Sequence, residues 1–339
     1  MSSEKSRPAG RRVTIIDVAD AAGVSKSTVS RVLSGKGHYS EDTKIKIRRA
    51  AKEVGYTANT AARYLRADNS HIIGLLLRDA HNPVYGTLHR TLQQEAYQSN
   101  QQLMSMTVVS PDARRRELEV IRDFVGLRVG AIMVASGTIP SEELVEITEG
   151  TPTLVIGRPE VKPELHNLAF DELLHGQMIA DRVHSLGYQK AVVVTLSRDY
   201  SHGGAARTLA CADQLRRHGV EVVEWPVEYT LLSDEDLNGI LSLSGHKALV
   251  VPFDRVAIDV MRRLRDRGIR VPEDLGLASW DGMSEGIDLI GLTTVRLPVE
   301  EVARRAMEVI QDIMKEEPAR AIRELFCGTL LPGRTLVKQ

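Results

Sequence analysis

A chain of 339 residues is too long for one small core, and 42% apolar with 26% charged residues is the composition of a soluble globular protein. Its net charge of −1 hides an imbalance: residues 1–67 hold 14 Lys+Arg against 6 Asp+Glu, a net +8, leaving the remainder near −9. Two distant cysteines (Cys211, Cys327), no apolar stretch in the opening MSSEKSRPAGRR and no membrane-length apolar run exclude disulfide-framework, secreted and membrane-spanning classes and point to the cytoplasm.

Residues 1–12, rich in Ser, Lys and Arg, read as a disordered basic arm. Thr14 is placed to cap a first helix with Ile15, Val18, Ala19 and Ala22 on one face, ended by Gly23-Val24. Ser25 caps a second helix bearing Val29, Val32 and Leu33. After a Ser-Gly-Lys-Gly loop, Ser40 caps a third that runs from Glu41 to Val54 and stops at Gly55. Residues 13–58 thus form an all-α domain, followed over 59–70 by a two-turn helix (Asn59 to Arg66) and a short linker. From His71 strands and helices alternate. Strands are predicted at 72–77, 103–108, 131–134, 153–156, 191–195, 222–224, 248–251 and 275–278, with helices such as 84–99 and 256–267 between them. This is the pattern of α/β, doubly wound parallel sheets. Eight strands divide best into two subdomains, with a break near Val161 to Leu168.

The segment IIDVADAAGVSKSTVSRVL (15–33) meets the requirements of a helix-turn-helix. Small Ala19 allows close helix approach, Gly23 permits the turn, and Val24 and Val29 pack between the helices. The second helix leaves Ser25, Lys26, Ser27, Thr28, Ser30 and Arg31 on a polar face. Its N-terminal end, the part that reaches base edges, offers Lys26 and Ser27, with Arg31 one turn on. Hydroxyls and a helix N-terminus suit phosphate oxygens. An ordinary helical hairpin with a solvated face would show the same periodicity.

A longer match separates the two readings. From Val13 to Leu65 the chain resembles the head of lactose-repressor-type (LacI/GalR) transcription regulators. The shared elements are T-I-x-D-V-A-x-x-A-G-V-S, T-V-S-R-V-L, G-Y-x-x-N and A-R-x-L. The resemblance implies base contacts at Lys26, Ser27 and Arg31, and phosphate contacts at Ser25, Thr28, Ser30, His38, Ser40 and Asn59. It also implies a hinge helix whose Ala62 and Leu65 enter the minor groove, Leu65 as an apolar wedge. A helix of eight residues is marginal alone, so the hinge would form only against its twin on DNA.

The resemblance continues to about residue 335. Gly74-Leu75-Leu76, Asp79 and Asn82-Pro83 are similar to the family's first strand and effector loop, and Thr293 to Arg296 with Pro298-Val299 to its returning strand and helix. It implies a two-subdomain, periplasmic-binding-protein-like domain over 71–339. One subdomain would hold about 71–165 and 293–320, the other about 166–292 and 321–339. The ligand would lie between them at the carboxyl ends of the strands. Arg207 in GGAARTLA matches the effector-binding arginine, Asp281 in SWDG the cleft aspartate, and Asp254 the aspartate of an N-D dipeptide whose Asn is here Phe253. Gly157-Arg158 stands where Asp-Arg is common, leaving Arg158 as the contact. Both departures argue against carrying over a known sugar specificity. Phe253 and Trp280 could stack on a ring face; His81, Asn82, Tyr85 and Tyr229 are further candidates. For each aromatic, packing at the subdomain boundary is the alternative.

No catalytic signature accompanies these features. G-x-S-x-G, H-E-x-x-H and C-x-x-C are absent, G-V-S-K-S-T lacks the first glycine of a P-loop, and no strand leads into G-x-G-x-x-G. No histidine pair has metal-ligand spacing, and His175 and His184 read as surface or cap residues on a helix near Asp171 to Leu186. The sequence therefore predicts a non-enzymatic transcription regulator, a repressor, without metal or cofactor. It would bind a pseudo-palindromic operator as a homodimer under the control of a small-molecule effector, a sugar or sugar derivative. The chain ends soon after Arg334, which favours a dimer over a larger assembly. A solute-binding protein without DNA function, or a regulator answering to a nucleoside or small acid, is the alternative.

Overall fold

The computed structural model describes residues 13–33, 37–56, 71–79, 81–108, 112–137, 139–198, 200–227, 231–315 and 320–339. The basic arm, the hinge residues Asn59, Ala62 and Leu65, and Tyr229 lie outside them. The chain divides into two compact units after Asp68.

The first unit contains α1 (Ile15–Ala22), α2 (Lys26–Leu33) and α3 (Glu41–Glu53). Each begins where a short polar side chain can satisfy free helical N–H groups. Ser25 Oγ accepts the Thr28 N–H at 3.1 Å and Ser40 Oγ accepts the Thr43 N–H at 3.3 Å. At α1 the Asp17 carboxylate reaches back to the Thr14 N–H (2.7 Å) and hydroxyl (2.8 Å). Gly23 ends α1 at φ +60°, a left-handed conformation that a side chain would oppose, and so turns the chain into α2. Val18, Ala19, Ala22, Val29, Val32, Ile47, Ala50 and Ala51 form the small core of this unit, with Val24 partly buried against it.

In the second unit the order is β1 (Ile72–Leu77), α4 (Pro83–Gln98), β2 (Gln102–Thr107), α5 (Ala113–Gly126), β3 (Ala131–Ala135), α6 (Ser141–Thr148), β4 (Thr153–Gly157), β5 (His166–Phe170) and α7 (Glu172–Ser185). It continues with β6 (Lys190–Leu196), α8 (His202–Arg217), β7 (Glu221–Val227), α9 (Asp234–Ser242), β8 (Ala248–Val250), α10 (Asp254–Asp266), β9 (Gly276–Asp281) and α11 (Ile287–Ile290). Last come β10 (Thr293–Arg296), α12 (Val299–Lys315), β11 (Arg323–Phe326) and β12 (Thr329–Leu331). Among the described residues the strands form two six-stranded sheets, in the orders β11-β5-β4-β3-β1-β2 and β12-β10-β9-β8-β6-β7. Every pairing is parallel except β10 with β12. β1, IIGLLL, is buried at all six positions, the continuous apolar reading of a parallel strand covered on both faces.

Sheet membership corrects the subdomain limits drawn from sequence. Residues 166–170, assigned to the second subdomain, form β5 in the first sheet, as does 323–326 as β11; 293–296, assigned to the first, forms β10 in the second sheet. These short strands flank the points where the chain passes between sheets. Local patterning carries no information about which distant strand they will pair with. The passages are at residues 170–172, 296–299 and 326–329. Helix α12 nevertheless packs on the first sheet, with Val302, Ala306, Met307 and Ile310 in its core.

Helices α7 and α8 approach closely because residue 176 is glycine. A Cβ there would lie 2.8 Å from both Ala210 Cβ and the Cys211 backbone nitrogen. That contact brings the start of α7 beside Arg207 of α8, and so builds the site.

Candidate functional site

Two polar regions stand out. On the first unit, Lys26, Ser27 and Arg31 are exposed on α2, opposite the buried Val29 and Val32. The helix carries no acidic side chain, so its exposed face and its N-terminus are both positive. Ser25 Oγ lies 2.8 Å from the hydroxyls of both Ser27 and Thr28, an interlinked set of donors at the helix start. Ser30 is half-buried, while His38 and Ser40 are exposed at the entry to α3.

In the second unit a cleft opens where strand ends from both sheets meet helix N-termini. Its lining includes Arg78 after β1, Arg158 after β4, Asp281 ending β9, and the starts of α4 (Asn82, Tyr85), α7 (Glu172), α8 (His202, Gly203) and α10 (Phe253, Arg255). Parallel strands leave their carboxyl ends free to present loops in this way.

At its floor Arg207, 5% exposed, lies between two carboxylates. Nε is 3.2 Å from Glu172 Oε2 and Nη1 is 3.6 Å from Asp281 Oδ1, but neither nitrogen makes a hydrogen bond of good geometry. Phe253 sets its ring centroid 5.7 Å from the guanidinium carbon. Burial opposes ionisation of Glu172, yet Arg207 and then His175 outweigh it and hold the carboxyl below its usual range. Asp281 goes the other way: burial pushes its carboxyl well above the usual range, against the smaller pull of Arg207. The site thus presents two buried carboxyl groups shifted in opposite directions and a fork of donors, a set suited to a polyhydroxylated ligand.

Asp281 is also held in an unusual backbone conformation, φ +121°. Its carbonyl accepts the Leu297 N–H at 3.1 Å, and the next N–H, of Gly282, donates to Asp254 Oδ2 at 2.7 Å. Asp254 itself does not face the cleft. It is fully buried and also accepts the Ser279 (2.6 Å) and Thr294 (2.7 Å) hydroxyls, so its role is to fix the turn that carries Asp281. Trp280 is likewise not a ligand platform. It is fully buried in the core of the second sheet, its Nε1–H donating to the His175 carbonyl at 2.9 Å. Side chains alternate along a strand, so an inward Asp281 turns Trp280 to the other face. Of the predicted effector contacts, Arg207, Asp281, Phe253, Arg158, Asn82 and Tyr85 come together in one lining; Asp254 and Trp280 lie behind it. Asn82 Oδ1 caps α4 through the Val84 N–H at 2.9 Å, which occupies part of its hydrogen-bonding capacity.

His175 differs from its reading as a surface residue. It is fully buried, its Nε2 accepts the Gly328 N–H at 2.7 Å, and its Nδ1 lies 3.5 Å from Glu172 Oε2. His184 is exposed as expected and stacks on His218 with centroids 4.3 Å apart. Glu172 was not foreseen because an acid in a first helical turn is ordinary capping chemistry. Arg78 could have been found, since it directly follows a parallel strand, where ligands gather.

The neutral form of Asp281 stabilises the ligand-free protein at low pH, and that contribution is lost as pH rises through its raised native value. Asp281→Asn, which keeps the shape without the titration, is expected to raise the unfolding midpoint near neutral pH by about 2–4 °C. The gap should close towards about pH 4. Calorimetry across pH checks this; equal midpoints at every pH would contradict it.

The arrangement has counterparts among known proteins. Residues 14–59 match the model described as bacterial regulatory proteins, lacI family, and residues 180–336 a periplasmic binding protein-like domain. The HTH-type transcriptional regulator AscG of Escherichia coli (strain K12) is 30% identical over 335 residues, 95% of each chain. The chain belongs to the lacI family. As a lacI-family member it is a DNA-binding transcription regulator, and its two-sheet domain has the periplasmic-binding-protein-like fold. A lacI-family regulator from Silicibacter pomeroyi superposes with a TM-score of 0.80 at 22% identity, covering 96% of this chain and 99% of that one. A lac repressor dimer bound to operator and an anti-inducer gives 0.76 at 18% identity, covering 96% and 100%. No described helix of this lacI-family chain is long and apolar enough to cross a membrane, and no described cluster of His, Cys, Asp and Glu could hold a metal ion.

Proposed function

We propose that the protein is a homodimeric repressor that reads a pseudo-palindromic operator and releases or engages it according to a sugar-like ligand held in the cleft. The observation that carries this reading is the buried Glu172–Arg207–Asp281 group in a chain whose other unit presents an acid-free, exposed recognition helix. Lys26 and Ser27 read base edges at the front of α2, and Arg31 adds a third contact one turn later. Ser25, Thr28, Ser30, His38 and Ser40, with Asn59, hold phosphates; Ala62 and Leu65 enter the minor groove. Arg207 donates to paired ligand hydroxyls, Asp281 and Glu172 complete the contacts, and Phe253 and Tyr85 cover an apolar ring face. Arg158 and Asn82 belong to the same lining.

A sugar is favoured because solved members of this fold hold cellobiose and ribose, in a regulator named CelR and in a regulator from Enterococcus faecium. Curated relatives carry regulator names, so the cleft is read as a binding site that does not turn over its ligand, working in the cytoplasm where the operator lies. Selection from random duplex DNA with the full chain tests the reading. The expected product is an inverted repeat with half-sites about one helical turn apart. Lys26→Ala should relax preference at one base pair of each half-site by about 1–3 kcal/mol. Enrichment of no motif, or of an unrelated direct sequence unaffected by Lys26, would overturn it.

A further inference from the structure

We infer that the ligand of the cleft carries an anionic group, a carboxylate or a phosphate on a hydroxylated body, and that Arg78 receives it. This rests on the cleft being the effector site and names the class of effector.

Four guanidinium groups line the cleft, those of Arg78, Arg158, Arg207 and Arg255, against the carboxyl groups of Asp79, Glu172 and Asp281. Two of the carboxyl groups already lie against a cation, and the third takes a backbone hydrogen bond. Glu172 and Asp281 flank Arg207, and Asp79 accepts the His81 N–H at 2.9 Å. Arg158 lies 3.7 Å from Glu160 and donates to the Ile139 carbonyl at 3.0 Å. Arg78 is different. Its guanidinium carbon lies 4.7 Å from the Tyr200 ring centroid, and it forms no ion pair with any described carboxylate. A ring face orients the cation without neutralising it. Arg207, more than nine-tenths buried in the same lining, keeps Nε and Nη1 without hydrogen-bond acceptors. The N-termini of α4, α8 and α10 open onto the same space and add positive potential. A neutral polyol would engage Arg207 and Asp281 but would leave Arg78 half-buried with no ion-pair partner among the described residues. An anionic substituent would satisfy it with charge-assisted hydrogen bonds.

The test uses full-length protein at constant ionic strength, with thermal unfolding and calorimetric titration as readouts. Glucose and galactose are the neutral probes; gluconate and galacturonate supply a carboxylate; glucose 6-phosphate and inorganic phosphate supply a phosphate. At least one anionic probe is expected to raise the midpoint more than its neutral counterpart, and which arm responds tells carboxylate from phosphate. Arg78→Gln should weaken that probe by about tenfold or more, and Arg78→Lys should weaken it less. Neutral sugars that match or exceed every anion would overturn the inference and leave the effector reading standing, as would an anion bound equally by wild type and Arg78→Gln. A chain that responds to no probe would count against both. The wild-type comparison of acid with neutral probe decides even if a variant folds poorly.

Discussion

Arg207→Met is expected to destabilise the ligand-binding unit by on the order of 3 kcal/mol and to abolish the response to any cleft ligand. The methionine fills most of the volume but leaves Glu172 and Asp281, both about nineteen-twentieths buried, without the cation between them. Breaking a buried pair from one side costs more than removing both partners, because an uncompensated charge remains in low dielectric. Asp281 already favours its neutral form, so most of the loss falls on Glu172. Adding Glu172→Gln to the Arg207→Met chain should therefore recover part of the stability while leaving ligand response absent. Denaturant unfolding of the four chains of this cycle measures it. Additive losses would show that the pair is not coupled.

The second large effect lies at the head. Operator affinity is expected to fall by about 10³–10⁵ between roughly 50 and 200 mM salt if a dimer neutralises about 6–10 phosphates. The charge for this is present: residues 1–67 carry a net +8 while the remainder is acidic, so attraction is confined to one end of the chain. Anisotropy titrations of a selected operator across salt give the slope. A nearly flat dependence would mean that the exposed face of α2 does not meet a polyanion.

The head and the alternation of the body were legible because their signals are local. Thr14, Ser25 and Ser40 cap the helices they were expected to cap, Gly23 turns the chain, and Val18, Val29 and Val32 fall at core spacing. The sheet exchange was not legible. His166–Phe170 and Arg323–Phe326 pair with each other at the edge of the first sheet across more than 150 residues, and nothing in either pentapeptide or tetrapeptide states that partner. In the cleft, motif matching led to Arg207, Asp281 and Phe253, which line it, but also to Asp254 and Trp280, which stand one layer back as supports. A motif preserves the turn and what holds it as readily as the contact, and sequence cannot separate the two. Glu172 and His175 escaped because their importance comes from the close approach of α7 and α8 at Gly176, a tertiary fact.

Occupancy of the cleft and affinity for DNA are expected to form one coupled equilibrium. It is tested by measuring the affinity for the selected operator with and without a saturating cleft ligand, and the affinity for that ligand with and without operator. A coupled regulator predicts that both change by the same factor, about 5–150-fold. A ligand that binds beside Arg207 and Asp281 yet leaves operator affinity unchanged would contradict it.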